Sequence, residues 1–513
     1  MTLRRAVQRV QRIGLIALLA LVSLVAIDAA LAWADVPPTP AEVAEVAEVA
    51  EVESAPTSGG PIKLADLRAS SPETSIGQRL LSALGILVFL GLAVLLSNNR
   101  KAIRWRPVLW GIGLQIAFGL IVLSPSVGKT FFDIVNTSVG KLMSFSEEGS
   151  AFVFQSVEPH EVTTVDMATG EKTTKTYIGT ISPPLKTFAF WILPTIIFFS
   201  ALMSILYHLG VMQLLVRGAA AVMQKTMGTS GSESLSAAAN IFVGMTEAPL
   251  VVKPFVDTMT RSELNAIMVG GFATVAGGIL AAYVGFLHQS IPDIAGHLVV
   301  ASIMSAPAAL AIAKILVPET EVSDTAAGAT LSLDRPDVNV VEALARGSSE
   351  GLGLAVNVGA MLLAFVAMIA LVNALLGGCS SLLAMVGIDV ALSLQGILGV
   401  VFAPLAFCMG VPWAEAGRVG ALLGEKMVLT ELVAYMHLGD ILKSSEPLSY
   451  RSAVIASYAL CGFANFASIG IQIGGIGGIA PSRRKDLAQL GLLAMIGGTL
   501  AAMMTATIAG IIL

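Results

Sequence analysis

A chain of 513 residues that is 55% hydrophobic and 13% charged, with a mean hydropathy of +0.82, is not a soluble domain, which carries about one-quarter charged residues. The formal charge of −5 argues against a nucleic-acid-binding surface. Cys379, Cys408 and Cys461 lie apart, so neither a disulfide framework nor a zinc site follows. The expected fold class is an all-α polytopic membrane protein.

The N-terminus begins with Arg4, Arg5, Arg9 and Arg12, continues as an apolar run and reaches Ala32-Trp33-Ala34. That order predicts a signal peptide or signal anchor over 1–34. Residues 35–76 hold an Ala-Glu-Val repeat among prolines, the composition of a disordered acidic extracytoplasmic segment. Apolar runs then predict helices at 79–98, 107–126 and 184–210, with a polar stretch at 127–183; together 77–210 form an N-terminal transmembrane region. Residues 211–317 form a first half. It contains an interfacial segment at 211–230, a broken apolar segment at 231–260 too short for two crossings, and helices at 262–288 and 296–317. A cytoplasmic loop, an interfacial part and a helix at 351–376 occupy 318–392. Residues 393–513 form a second half, with a broken segment at 393–436 and helices near 451–474 and 487–512. About eight crossings and two re-entrant hairpins result.

Lys/Arg bias sets the orientation. Arg100, Lys101, Arg104 and Arg106 place the end of the first helix in the cytoplasm. Counting crossings from there puts Arg217, Lys225, Arg483, Arg484 and Lys485 inside and the N-terminus outside, in agreement with an exported signal segment. The expected location is a plasma membrane, of the bacterial inner-membrane type, in contact with lipid.

The two broken segments match each other. One carries Thr246-Glu247 and is followed by Gly271-Phe272-Ala273-Thr274; the other carries Thr430-Glu431 and is followed by Gly462-Phe463-Ala464-Asn465. Matched interrupted segments in two halves point to a transport site at the interface of an inverted repeat. An ionisable residue at membrane depth is costly and defaults to function. Irregular backbone there is tolerated only where it lines a cavity or is packed by protein. No HExxH, GxSxG or phosphate-loop pattern accompanies these acids, so an enzyme is not expected.

The stretches GMTEAPLVVKPF (244–255), GGFATVAGGILAAY (270–283), SAPAALAIAK (305–314), GEKMVLTELVAY (424–435) and CGFANFASIGIQIGG (461–475) closely resemble the concentrative nucleoside transporters. The resemblance implies a homotrimer of cation-coupled nucleoside symporters. Each protomer would have a scaffold domain and a transport domain that moves as an elevator. It implies that Met245, Thr246 and Glu247 face the nucleobase, with Ile279 and Phe463 packed near it, and that Glu431, Asn465 and Ser468 bind the ribose hydroxyls. It assigns Asn240, Val243, Thr274 and Val275 to a sodium site, a set that offers the oxygen ligands a hard cation takes. Proton coupling, broad nucleoside selectivity and another polar solute are the alternatives. Two residues depart from many relatives. Met245 stands where a Gln is common and Thr430 where an Asn is common. A thioether cannot offer the donor and acceptor of an amide, and the Gly244-Met245 pair resembles that of the family's purine-preferring branch.

Overall fold

The computed structural model describes residues 75–513 apart from 123–126, 155, 166–171, 183–186, 289–290, 292, 327–336 and 386–389. The signal segment and the acidic repeat lie outside the described residues.

The membrane body is helical, as expected. Helix α1 (Ile76–Leu96) starts at a Ser75–Gln78 capping box, and α2 (Trp105–Val122) follows a short basic connection. The polar stretch expected after α2 holds a long amphipathic helix, α3 (Val127–Phe154), and an antiparallel hairpin of β1 (Ser156–Val165) and β2 (Lys172–Ser182). Sequence reading found the amphipathic segment and missed the strands. A β-hairpin outside the hydrocarbon region can leave its edges to water, so it needs no long apolar run. Helix α4 (Leu193–His208) begins with a π turn at Phe188–Ile192, and α5 (Val211–Met227) is the amphipathic segment after it.

The first hairpin descends as α6 (Gly231–Ala239), turns through 240–247 and returns as a 3-10 helix, Ala248–Phe255. Pro249 and Pro254 remove backbone donors from the returning arm, which disfavours a regular α-helix. Its base is fastened by two Ser/Thr-x-x-Glu capping boxes, Ser230–Glu233 for α6 and Thr260–Glu263 for α7 (Arg261–Ala273). Glu233 also pairs with buried Lys314 at 2.7 Å, and Lys314 reaches Glu319 at 3.2 Å. A buried charge without a partner would be strongly destabilising, so this network fixes where the hairpin enters.

Helix α7 breaks at 274–276 and resumes as α8 (Gly277–Leu287); α9 (Ile294–Leu316) follows. The segment expected as a helix over 351–376 is longer, α10 (Val340–Ala384). It starts at an Asn339 cap, and its first turns are tied by Arg346 to Asp337 at 2.8 Å. Helices α11 (Leu394–Cys408) and α12 (Trp413–Val428) meet at 116°. The second hairpin consists of α12 and α13 (Glu431–Lys443), and α14 (Tyr450–Leu460) breaks before α15 (Phe466–Ile479). Helix α16 (Arg484–Ile512) closes the chain.

Among the described residues, seven segments are long and apolar enough to cross a membrane, and the bent α11–α12 pair would make eight. The broken α14–α15 pair covers the segment expected as the seventh crossing in chain order. Helices α9 and α16, and the broken segment that starts with α7, are mostly buried within the protein, whereas α4 is largely half-buried and α10 is mostly exposed. Helices α4 and α10 pack chiefly on each other, and α8 also packs on α4. A well-buried bundle carrying both hairpins thus sits beside the α4–α10 pair.

Candidate functional site

Each hairpin tip meets a helix break. In the second half Thr430 caps α13, its hydroxyl accepting from the Val433 N–H, so Glu431 occupies the first turn of the helix. A carboxylate is favourable at that position. Glu431 is 4% exposed. Its Oε1 accepts from the Tyr283 hydroxyl at 2.7 Å and its Oε2 from Asn465 Nδ2 at 3.1 Å. Asn465 is itself the cap of α15, accepting from the Ser468 N–H at 2.8 Å. Two bonds leave a carboxylate with unused lone pairs. The end of α14 is closed by buried Lys426, whose Nζ donates to the carbonyls of Ala459 (2.8 Å) and Cys461 (3.5 Å). Those are carbonyls that a helix end leaves without partners. Tyr435 stacks on Tyr283 at 4.6 Å and donates to the Ser457 carbonyl.

The first half is wired differently. Asn240 ends α6, is fully buried, and neither its Oδ1 nor its Nδ2 has a hydrogen-bond partner. Its amide lies against α7 at Gly270, where a Cβ would fall 3.2 Å from Nδ2. Thr274, the C-cap residue of α7 and the first of the break, donates from its hydroxyl to the Gly270 carbonyl at 3.0 Å. Val275 is buried beside it and Val243 is half-buried. The hairpin main chain closes the break, since the Gly277 N–H donates to the Phe242 carbonyl at 3.2 Å. Ser302 of α9 holds the Ile241 carbonyl at 3.2 Å. The orphaned Asn240 amide and the Thr274 hydroxyl both approach Gly270 of α7, and their neutral oxygens are of the kind a hard cation takes.

Met245 and Ile279 are buried, Thr246 is half-buried and Glu247 is exposed. Glu247 makes no side-chain hydrogen bond or ion pair among the described residues. Its carboxylate folds back over Gly244, where a Cβ would lie 2.3 Å from Oε2. The space left by Gly244 is therefore filled by Glu247 itself. Thr246 packs on α15 at Gly475, with Cγ2 3.1 Å from the position of a Cβ. Ile279 and Tyr283 are one turn apart on α8, so the helix carries an apolar contact and the Glu431 donor along one face.

The two broken segments touch. Gly462 has φ +123°, and a Cβ there would meet the carbonyl oxygen of Phe272 at 2.7 Å and the carbonyl carbon of Ala273 at 2.8 Å. Phe463, buried, lies in the same break. The matched motifs do not keep the same register to the breaks. Thr274 closes the helix before the first break, whereas Asn465 opens the helix after the second. Each broken helix also serves the opposite hairpin. Tyr283 of the first half bonds Glu431, and Gln472 of the second reaches the Met245 Sδ at 3.8 Å.

Sequence reasoning missed Tyr283, Lys426 and Gln472. All three stand inside the motifs that carried the resemblance, and Gln472 follows Asn465 by seven residues, two helical turns on the same face. That spacing was the available signal.

Comparison with known proteins decides the family. The Na+ dependent nucleoside transporter C-terminus matches residues 297–510, its N-terminus 84–157, and a nucleoside recognition Gate domain 189–290. The chain belongs to the concentrative nucleoside transporter family. It is 43% identical to an uncharacterized transporter of Haemophilus influenzae, over 84% of this chain and 97% of that protein. It is 44% identical to the uncharacterized transporter YutK of Bacillus subtilis, over 83% and 98%. Solute carrier family 28 member 3 of Mus musculus is 41% identical over 85% of this chain and 59% of its own length. Among solved structures, CNTnw in an inward-facing substrate-bound state superposes with a TM-score of 0.73 at 42% identity, covering 84% of this chain and 97% of that one. A doubly substituted CNTnw in an outward-facing state gives 0.75 at 41% identity, covering 85% and 98%.

Proposed function

We propose that this chain is a sodium-coupled symporter that imports nucleosides across a plasma membrane, with purine nucleosides preferred. The observation that carries the reading is the meeting of both hairpin tips with both helix breaks. It supplies a buried, multiply bonded carboxylate at one end and an apolar, thioether-lined surface at the other. In this reading Glu431, Asn465 and Ser468 take the ribose. A carboxylate accepts charge-assisted bonds from sugar hydroxyls, and the amide and hydroxyl supply donors and adjustable acceptors. Tyr283 and Asn465 hold the carboxylate so that its remaining lone pairs face the ligand. Met245, Thr246, Glu247, Ile279 and Phe463 surround the base.

Sodium would be held by the Asn240 Oδ1, the Thr274 hydroxyl and main-chain oxygens at Val243 and Val275. The ion would neutralise the dipoles at the break and hold the first hairpin tip against it. Because ion and nucleoside would share that tip, occupancy of one raises affinity for the other. The buried bundle would move past the α4–α10 pair as an elevator. CNTnw has been captured in inward-facing, intermediate and outward-facing states, which supports a moving carrier. The exposed apolar length of α10 would serve a homotrimer or lipid. The test is uptake of labelled adenosine and uridine into proteoliposomes. Saturable accumulation that needs a sodium gradient, with adenosine ahead of uridine, is the expected result. Accumulation driven by a proton gradient alone would replace the ion, and no nucleoside uptake would overturn the reading.

A further inference from the structure

Helix α15 presents Asn465, Ser468 and Gln472 on one face, and all three are at most 2% exposed. The face continues to Gly475, which lies against Thr246 of the first hairpin. Asn465 bonds Glu431, and Gln472 touches Met245. The face thus runs from the carboxylate end of the site to the thioether end. Gln472 is aimed by two contacts of its Nε2, to the Met268 carbonyl at 3.1 Å and to the Met245 sulfur at 3.8 Å. Because that nitrogen faces a carbonyl, the amide cannot be turned over without opposing two oxygens. The Gln472 Oε1 is buried and has no hydrogen-bond partner. Gly271 makes room for the pair: a Cβ there would lie 2.7 Å from the Gln472 Nε2 and 2.8 Å from the Met245 Cβ. A buried carbonyl oxygen without a donor is costly. Met245, on the first hairpin tip, is its flexible neighbour, and a thioether yields readily to a ring.

We infer that Gln472 is a base-reading residue: its side-chain oxygen accepts an N–H from the Watson–Crick edge of the nucleobase, beside a hairpin tip where Met245 offers no amide. The ligand class is a nucleoside whose base carries an exocyclic amino group or a ring N–H. The inference rests on the nucleoside reading above and adds a residue and a contact to it.

The test uses the full chain in proteoliposomes and two nucleosides that differ at that edge. Adenosine carries the amino group, and purine riboside has the same rings without it. For the unmutated chain the expected result is several-fold tighter inhibition of labelled adenosine uptake by adenosine than by purine riboside. Gln472→Met should weaken adenosine about fivefold to tenfold and leave purine riboside within twofold. Adding Met245→Gln to that variant should restore part of the preference, because an amide returns from the opposite side. Equal affinity of the unmutated chain for the two ligands overturns the inference whatever the variant does. So does an equal loss for both ligands in Gln472→Met, which assigns the residue to packing on Met268. If the unmutated chain takes up neither adenosine nor any other nucleoside, the nucleoside reading itself fails, a result separate from the other two.

Discussion

Glu431 and Glu247 stand in the same Thr-Glu pair of the two repeats, yet their surroundings are opposite. Glu431 is buried, seated in the first turn of α13 and bonded by Tyr283 and Asn465. Glu247 is exposed and rests on a glycine. The breaks differ in the same sense. The α15 start is capped by the Asn465 side chain, whereas α8 is capped by the hairpin's own Phe242 carbonyl and leaves the Asn240 amide without partners. The second half is a prearranged polar cradle, and the first half is a tip that leaves the Asn240 amide without protein partners. Preorganisation lowers the ordering cost of binding, and an incomplete tip allows one ligand to favour another.

The largest effect should separate the two motif glycines. Gly462→Ala places a Cβ 2.7 Å from the Phe272 carbonyl oxygen at a backbone φ of +123°. A loss of about 3 kcal/mol or more is expected, seen as a collapse of the detergent thermal midpoint and of uptake. Gly271→Ala meets side-chain atoms instead, the Gln472 Nε2 at 2.7 Å and the Met245 Cβ at 2.8 Å, with no positive φ to add strain, and should cost less. Equal midpoints for the two variants would break the proposed contact between the helix breaks.

Next come the acids. Glu431→Gln removes a charged acceptor and should weaken ribonucleosides by about 1.5–3 kcal/mol, and 3′-deoxynucleosides less. It should also lower the midpoint, because Tyr283 and Asn465 lose a charged partner. Glu247→Gln should leave the midpoint unchanged and alter uptake only. If the two variants destabilise alike, the contrast between cradle and tip fails.

Asn240→Ala sharpens the ion assignment. Removing a buried amide with no partners should hold or raise the midpoint without sodium, while the midpoint gain on adding sodium disappears. A lower midpoint in sodium-free buffer, with the sodium gain kept, would instead identify the Asn240 side chain as packing and nothing more.

The smallest effect concerns the base. Met245→Gln should shift the adenosine-to-uridine uptake ratio toward uridine by about 1 kcal/mol or less. Gly244→Ser should add to it by displacing the Glu247 carboxylate, since the new Cβ falls 2.3 Å from Oε2. An unchanged ratio in both variants would remove the hairpin tip from base selection.

By itself the sequence determined the helical membrane body, the paired broken segments and the Thr-Glu repeat. Membrane burial demands long apolar runs, and it makes each Gly, Pro and Glu inside them visible. The motifs also brought the candidate site residues into view. Tertiary structure alone decided how those residues are shared between the halves. Tyr283 reaches Glu431 across 148 positions and Gln472 reaches Met245 across 227. It also decided that α10 runs from Val340 to Ala384, and that a β-hairpin follows α3. Local patterns set periodicity and caps, but long-range partners are chosen by packing. The same Thr-Glu pair therefore became buried and bonded in one half and open in the other.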